Sequence, residues 1–196
     1  MGSTSPPGEL ITLVAEALEA AGIPYMLTGS VASGLHGRLR STHDVDVVID
    51  PPDAAGSVAR LLDGIGADDF YADAQAAEDA IRFRRMFNVV HHASGWKVGF
   101  IVKKARPFSE AEFARRRRVR WGGRDLLIAS AEDTVVAKLE WSKDSGSARQ
   151  LEDVAAILAV QGDALDRAYI ERWVPELGLA QPWAAAQEQA GRPPSA

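Results

Sequence analysis

The chain has 196 residues, of which 46% are hydrophobic and 25% charged, enough for one well-packed domain and too polar for a membrane protein. It contains no cysteine, which excludes a disulfide framework, a zinc ribbon and a thiol nucleophile. The net charge of −5 conceals an asymmetry: residues 97–124 carry 10 Lys/Arg against 2 Asp/Glu, while both flanking regions are acidic. A basic segment in an acidic chain suits one local phosphate or RNA contact better than general coating of nucleic acid.

Residues 1–8 (MGSTSPPG) are polar and turn-rich, and are expected to be loose. From Glu9 to Ala21 the residues Leu10, Leu13, Val14, Ala17 and Leu18 recur at helical spacing, with Gly22 and Pro24 as the stop. Tyr25–Thr28 reads as a short strand ending at Gly29-Ser30, and the small residues Val31–Gly37 as a second helix. Asp44–Asp50 (DVDVVID) alternates charge with valine, as a strand does, and Asp53 is placed to cap a helix running to Ile65. Phe87–His91 and Trp96–Val102 form a predicted hairpin. Ser109–Arg118 is expected to be a helix with Ser109 and Glu112 as a capping box, its Arg115–Arg118 run a solvated face. Arg124–Ala129 is a further predicted strand. Helices then follow over 131–141, 148–160 and 165–177, with a loose tail from Gln187. The spacing gives an α/β (α+β) fold with a core over 9–129, a helical region over 130–186, and flexible ends at 1–8 and 187–196. No apolar run reaches 18 residues and no signal peptide is visible, so the expectation is a cytoplasmic protein.

The chemistry is concentrated in Gly29-Ser30 and, after thirteen intervening residues, Asp44-Val45-Asp46. Residues two apart on a strand share a face, so Asp44 and Asp46 aim two carboxylates at one point. Two such charges repel unless a cation lies between them, and oxygen ligands without His or Cys suit Mg²⁺ or Mn²⁺. A Gly-Ser pair between a strand and a helix N-terminus suits a phosphate. A lone D-x-D on a strand end is common without function. The four histidines show no metal-ligand spacing.

The stretch TGSVASGLHGRLRSTHDVDVVID resembles the signature of the nucleotidyltransferase superfamily. FNVVHHASGWKVGFIV and SAEDTVVAKLEWSKDSGSARQLEDVAAIL resemble bacterial nucleotidyltransferase-like proteins related to AbiEii-type toxins. The resemblance implies a small mixed sheet with flanking helices, a helical region closing the site, and transfer of a nucleotidyl group from a nucleoside triphosphate with release of pyrophosphate. The acceptor would be an RNA, a protein or a small molecule, and a toxin would have an antitoxin partner. Carried over, Gly29 and Ser30 hold the triphosphate and Asp44 and Asp46 the metal. Lys138 contacts phosphate, contributing to affinity rather than folding, and Asp153 lies in the second layer of the pocket. The resemblance places a third carboxylate where this chain has Gly99, in Lys97-Val98-Gly99-Phe100. That substitution opens the alternative of a catalytically impaired protein binding nucleotide or a partner. Gly99 is expected to face the pocket with room for a side chain.

Overall fold

A computed structural model describes residues 7–39, 42–66, 68–121 and 123–191. In chain order the elements are α1 (Pro7–Ala20), β1 (Tyr25–Thr28), α2 (Gly29–His36), β2 (Asp44–Ile49), α3 (Ala55–Ile65), β3 (Phe70–Tyr71) and α4 (Ala74–Arg82). They continue with β4 (Met86–His91), β5 (Lys97–Val102), α5 (Pro107–Ala114), β6 (Arg117–Trp121), β7 (Arg124–Ile128), α6 (Ala131–Ser145), α7 (Ala148–Gln161), α8 (Arg167–Glu176) and α9 (Ala180–Ala190). The chain divides into two compact units, residues 1–28 with 41–128, and residues 29–40 with 129–196.

The first unit holds a mixed sheet in the order β3-β4-β5-β2-β1-β7-β6. Strand β2 runs antiparallel to β1 and parallel to β5, and β4 returns antiparallel beside β5. Apolar residues at alternate positions fix which face is buried: Val45, Val47 and Ile49 of β2 and Val98 and Phe100 of β5 have no exposed surface. Each such side chain contributes roughly 1.5–3 kcal/mol, and a one-residue slip would turn the whole set outward. Helix α1 packs on α3, burying Leu10, Val14 and Leu18 against Val58, Leu61 and Ile65. At Gly64 a Cβ would lie 3.0 Å from that of Ala17, so this position must stay bare for the helices to approach. Arg124 of β7 binds Glu19 of α1 at 2.6 Å and also pairs with Glu16. Tyr25 donates to Glu19 at 3.1 Å, and burial, reinforced by that bond, pushes its hydroxyl up to about 12.

The second unit is helical. Ser130 caps α6 by accepting from the Asp133 amide, and Gly146 ends the helix at a φ of +68°. Asp133, fully buried, accepts from the Ser130 and Tyr169 hydroxyls, each at 2.6 Å. Val135, Leu139, Ile157, Ile170, Trp173 and Trp183 form the core, whereas Trp141 is partly exposed. Helix α2 belongs to this unit although it lies early in the chain, and it packs on α6 and α7. Its Gly37 neighbourhood is anchored by His36, whose Nε2 lies 2.7 Å from the Ala129 carbonyl.

Several sequence expectations are corrected here. The Ser109–Arg118 helix ends at Ala114, and Arg117–Trp121 is strand β6, paired with β7. Arginines alternating about Val119 satisfy a half-exposed edge strand, and Arg118 and Arg120 both reach Asp125 across the pair. No Ser109 capping box forms: Pro107 opens α5, and Ser109 accepts from Arg106 Nε. Asp53 is not the N-cap of α3, which is Ala54, but it accepts from the Ser57 amide at 3.1 Å. Residues 187–190 complete α9, and the tail beyond 191 lies outside the described residues, as do residues 1–6. Strand β3 and helix α4 were not foreseen: a two-residue strand has no periodicity to read, and α4 shows itself mainly through Asp73, its N-cap.

Candidate active site

In the first unit the strand register assembles one polar face. Asp46 lies opposite Thr28 of β1 on one side and Gly99 of β5 on the other, and Gly99 lies opposite Asn88 of β4. Four neighbouring strands thus contribute Thr28, Asp46, Gly99 and Asn88 to a single row. The next row holds Asp44 and Lys97, paired in register, with the Lys97 ammonium 3.2 Å from Asp44 Oδ1. Both side chains of that pair are nearly half exposed, at 43% and 49%. The opposite face of the same strands is the apolar core, so packing behind holds the polar row in front.

Position 99 is as the alternation requires, on the face of Lys97 and Asp46, but it is less open than expected. A Cβ there would lie 3.0 Å from Asp46 Oδ1, 3.4 Å from Asn88 Oδ1 and 3.8 Å from Met86 Sδ. The expectation of free room is therefore corrected: two oxygen-bearing side chains lean over the glycine. Asp50 is no substitute for a carboxylate at 99, since it lies beyond the strand and pairs with Lys103 at 2.8 Å.

In the second unit, Gly29 opens α2 at a φ of +61°, a conformation that only glycine takes without strain. Ser30 follows in the first turn of α2. Ser33, one turn on, lies 3.3 Å from the Ser30 carbonyl and 3.5 Å from Asp153 Oδ2, and its single proton serves one of them at a time. Lys138 donates to Asp153 Oδ2 at 2.7 Å and to Gln150 Oε1 at 2.9 Å. The Lys138 and Asp153 side chains are only 6% and 9% exposed. Asp153 thus pairs with Lys138 and not with Arg149 one turn earlier, and Lys138 is part of the packing of α6 on α7. The structure brings Asp44, Asp46 and Gly99 together in one unit, and Gly29, Ser30, Lys138 and Asp153 in the other.

The solved structures similar to this chain include the crystal structure of an antigenic nucleotidyltransferase-like protein from Paracoccidioides brasiliensis. It matches with a TM-score of 0.55 and 19% identity over 92% of this chain and 93% of that one. The chain has a nucleotidyltransferase-like fold. A solution structure of the antibiotic-resistance factor ANT(2'')-Ia matches with a TM-score of 0.48 and 13% identity, over 90% of this chain and 96% of that one. No family model matches the sequence, and no curated protein does.

Lys97, Thr28 and Asn88 were missed in the sequence. The signal for Asn88 was present: in MFNVVH it is the one polar residue flanked by the buried Phe87 and Val89. The histidines do other work. His91 Nδ1 lies 2.7 Å from Ser94 Oγ in the hairpin turn, and the His43 ring lies 5.3 Å from that of Trp96. A surface hollow of about 390 Å³ lined by Glu19, Arg118, Arg124, Asp125 and Leu127 contains none of the predicted site residues. Among the described residues no three His, Cys, Asp or Glu side chains converge as a metal site, and no helix is long and apolar enough to cross a membrane.

Proposed function

We propose that this protein binds a nucleoside triphosphate together with Mg²⁺ or Mn²⁺ and transfers its nucleotidyl group slowly to an RNA, protein or small-molecule acceptor. The observation that carries the reading is the polar row, with two carboxylates of one strand on one face and a glycine opposite the second. The donor set fits a hard divalent cation. Asp44 already holds a cation in the form of the Lys97 ammonium, and Asp46 overhangs a notch that a Cβ would fill. Asp44 and Asp46 would hold the ion, which when bound neutralises phosphate charge. The resemblance would place the triphosphate at Gly29-Ser30, where glycine with a φ of +61° opens α2. Within the same unit Asp153, paired with Lys138, lies 3.5 Å from Ser33 of that helix.

In the transfer the acceptor hydroxyl oxygen attacks the α-phosphorus. The bond from that phosphorus to the oxygen bridging to the β-phosphorus breaks, pyrophosphate leaves, and the hydroxyl proton passes to solvent water. Asp46 and its neighbours lack the carboxylate at 99 that would accept it, and hence the slow rate. The catalytically impaired alternative is favoured by that same glycine. The resemblance of the C-terminal motif to AbiEii-type proteins extends the proposal to a toxin with a cognate antitoxin.

The first test is thermal melting with each nucleotide and Mg²⁺. At 100 times Kd, binding adds about 2.7 kcal/mol of stability, and Asp44→Asn with Asp46→Asn should abolish the gain while the protein stays folded. No stabilisation by any nucleotide would refute the reading. The second is nucleotide transfer, in which Gly99→Asp, with the Asp46 and Asn88 side chains shifting by a few tenths of an ångström to admit it, should raise the rate by ~100-fold or more, since even residues supporting a metal ligand commonly contribute 10–100-fold. A fast wild type unaltered by that change would show an intact enzyme.

A further inference from the structure

The Gly99 notch is lined by oxygen on both sides, and this carries an inference that rests on the proposed metal-dependent reading. Asn88 lies directly across from Gly99 on β4, exposed and on the same face as Asp46. Its Oδ1 comes within 3.4 Å of the point a Cβ at 99 would occupy, and Asp46 Oδ1 within 3.0 Å of it. Both atoms therefore converge on the volume that a carboxylate at 99 would enter.

We infer that Asn88 supplies the third oxygen of the divalent-cation site, in place of the carboxylate missing at position 99. A side-chain amide oxygen is an ordinary ligand of hard cations. It is neutral, so it adds no repulsion to Asp44 and Asp46. An amide does not take up a proton at neutral pH, so Asn88 replaces the ligand and leaves the proton acceptor missing. The division separates two properties that one carboxylate would combine. Cation binding is retained, and activation of the acceptor hydroxyl is lost. Asn88 also explains why the notch is empty of side chain: with glycine at 99, the amide on the adjoining strand has room to lean toward Asp46.

The experiment uses the full chain and Mn²⁺ alone, with free Mn²⁺ read by its electron paramagnetic resonance signal. Asn88→Ala should weaken Mn²⁺ binding about tenfold, and Asn88→Asp should restore it or bind more tightly than wild type, with melting temperatures confirming that each variant is folded. Asn88→Ala binding Mn²⁺ as well as wild type does, while Asp46→Asn abolishes it, overturns the role of Asn88 and leaves the metal-dependent reading standing. Tighter binding by Asn88→Ala also overturns it, showing that the amide had presented its NH₂ to Asp46. No Mn²⁺ binding by wild type overturns both. In transfer assays Asn88→Asp should raise turnover more than it changes the apparent affinity for Mn²⁺-nucleotide, a split that a merely structural asparagine would not produce.

Discussion

Removing the charge of Lys138 isolates the consequence of burying an ion pair between two helices. In Lys138→Met the stem is kept and the ammonium lost, leaving Asp153 at 9% side-chain exposure with Ser33 3.5 Å away as a much weaker partner. Gln150 Oε1 also loses its donor. Breaking a buried pair by removing one member typically costs ~3–5 kcal/mol, because an uncompensated charge stays inside. For a chain of this size each kcal/mol moves the midpoint by roughly 2–4 °C, so the melting temperature should fall by roughly 6–20 °C. The assay is thermal melting without nucleotide, with urea unfolding as a second measure. Lys138→Met with Asp153→Leu should recover most of the loss, since an apolar pair of similar volume carries no desolvation penalty. A single variant melting within about 2 °C of wild type would refute the argument. If it also lost nucleotide affinity, Lys138 would return to the phosphate-contact role that the resemblance implies.

Two further outcomes follow from pairs in the first unit. Lys97 must leave Asp44 before a divalent ion can take its place; a unit charge about 4 Å away in water is worth about 1 kcal/mol, so Lys97→Met should tighten Mn²⁺ binding by roughly two- to fivefold. Unchanged or weaker binding would show that Lys97 does not oppose the ion. Tyr25 has its hydroxyl raised from 10.0 to about 12 in the folded state, first by burial and then by its bond to Glu19. A group raised on folding gives stability that is complete below its unfolded value and is lost as pH rises toward the folded one. Stability should therefore fall between pH 10 and about 12, and Tyr25→Phe should flatten that fall in denaturation curves taken across the range. An identical slope in the variant would assign the alkaline loss to other groups.

Most of the sheet was legible because β2 and β5 largely alternate: Val45, Val47 and Ile49, and Val98, Phe100 and Val102, fall on one face and are buried, while Val48 and Ile101 break the pattern on the other face at the ends of the strands. The geometry of the candidate site was legible where its residues lie two apart on one strand and share a face, as Asp44 and Asp46 do. It was illegible where it depends on register between strands far apart in sequence. Nothing in the spacing of Asp44 and Lys97 announces that they meet, whereas Asn88 and Gly99 lie on the two strands of the predicted hairpin, whose register was not carried through to that pair. Strand β6 was misread for a different reason. RRVRW has one apolar residue between arginines, and a short charged segment satisfies a helical surface and an edge strand equally well until β7 pairs with it. Lys138 shows a third limit, since a lysine on a helix reads as solvated unless the carboxylate facing it from α7 is known.

The face proposed to carry the chemistry and the face that carries the fold are the two sides of the same strands, and this explains why β5 tolerates a glycine. Glycine in a strand costs roughly 0.5–1 kcal/mol relative to alanine. Its neighbours Val98 and Phe100 are fully buried and Val102 is 2% exposed, each contributing roughly 1.5–3 kcal/mol, so the register of β5 does not depend on what occupies position 99. Position 99 can therefore lose a functional side chain without unfolding the sheet. The same separation applies to Asp44, whose partner Lys97 supplies a counter-charge in the absence of any metal. Changes along the polar row should alter cation and nucleotide binding with little change in melting temperature. A large loss of stability in Asn88→Ala or Asp44→Asn would mean that the row holds the sheet together, and the separation of fold from function argued from its two faces would fail.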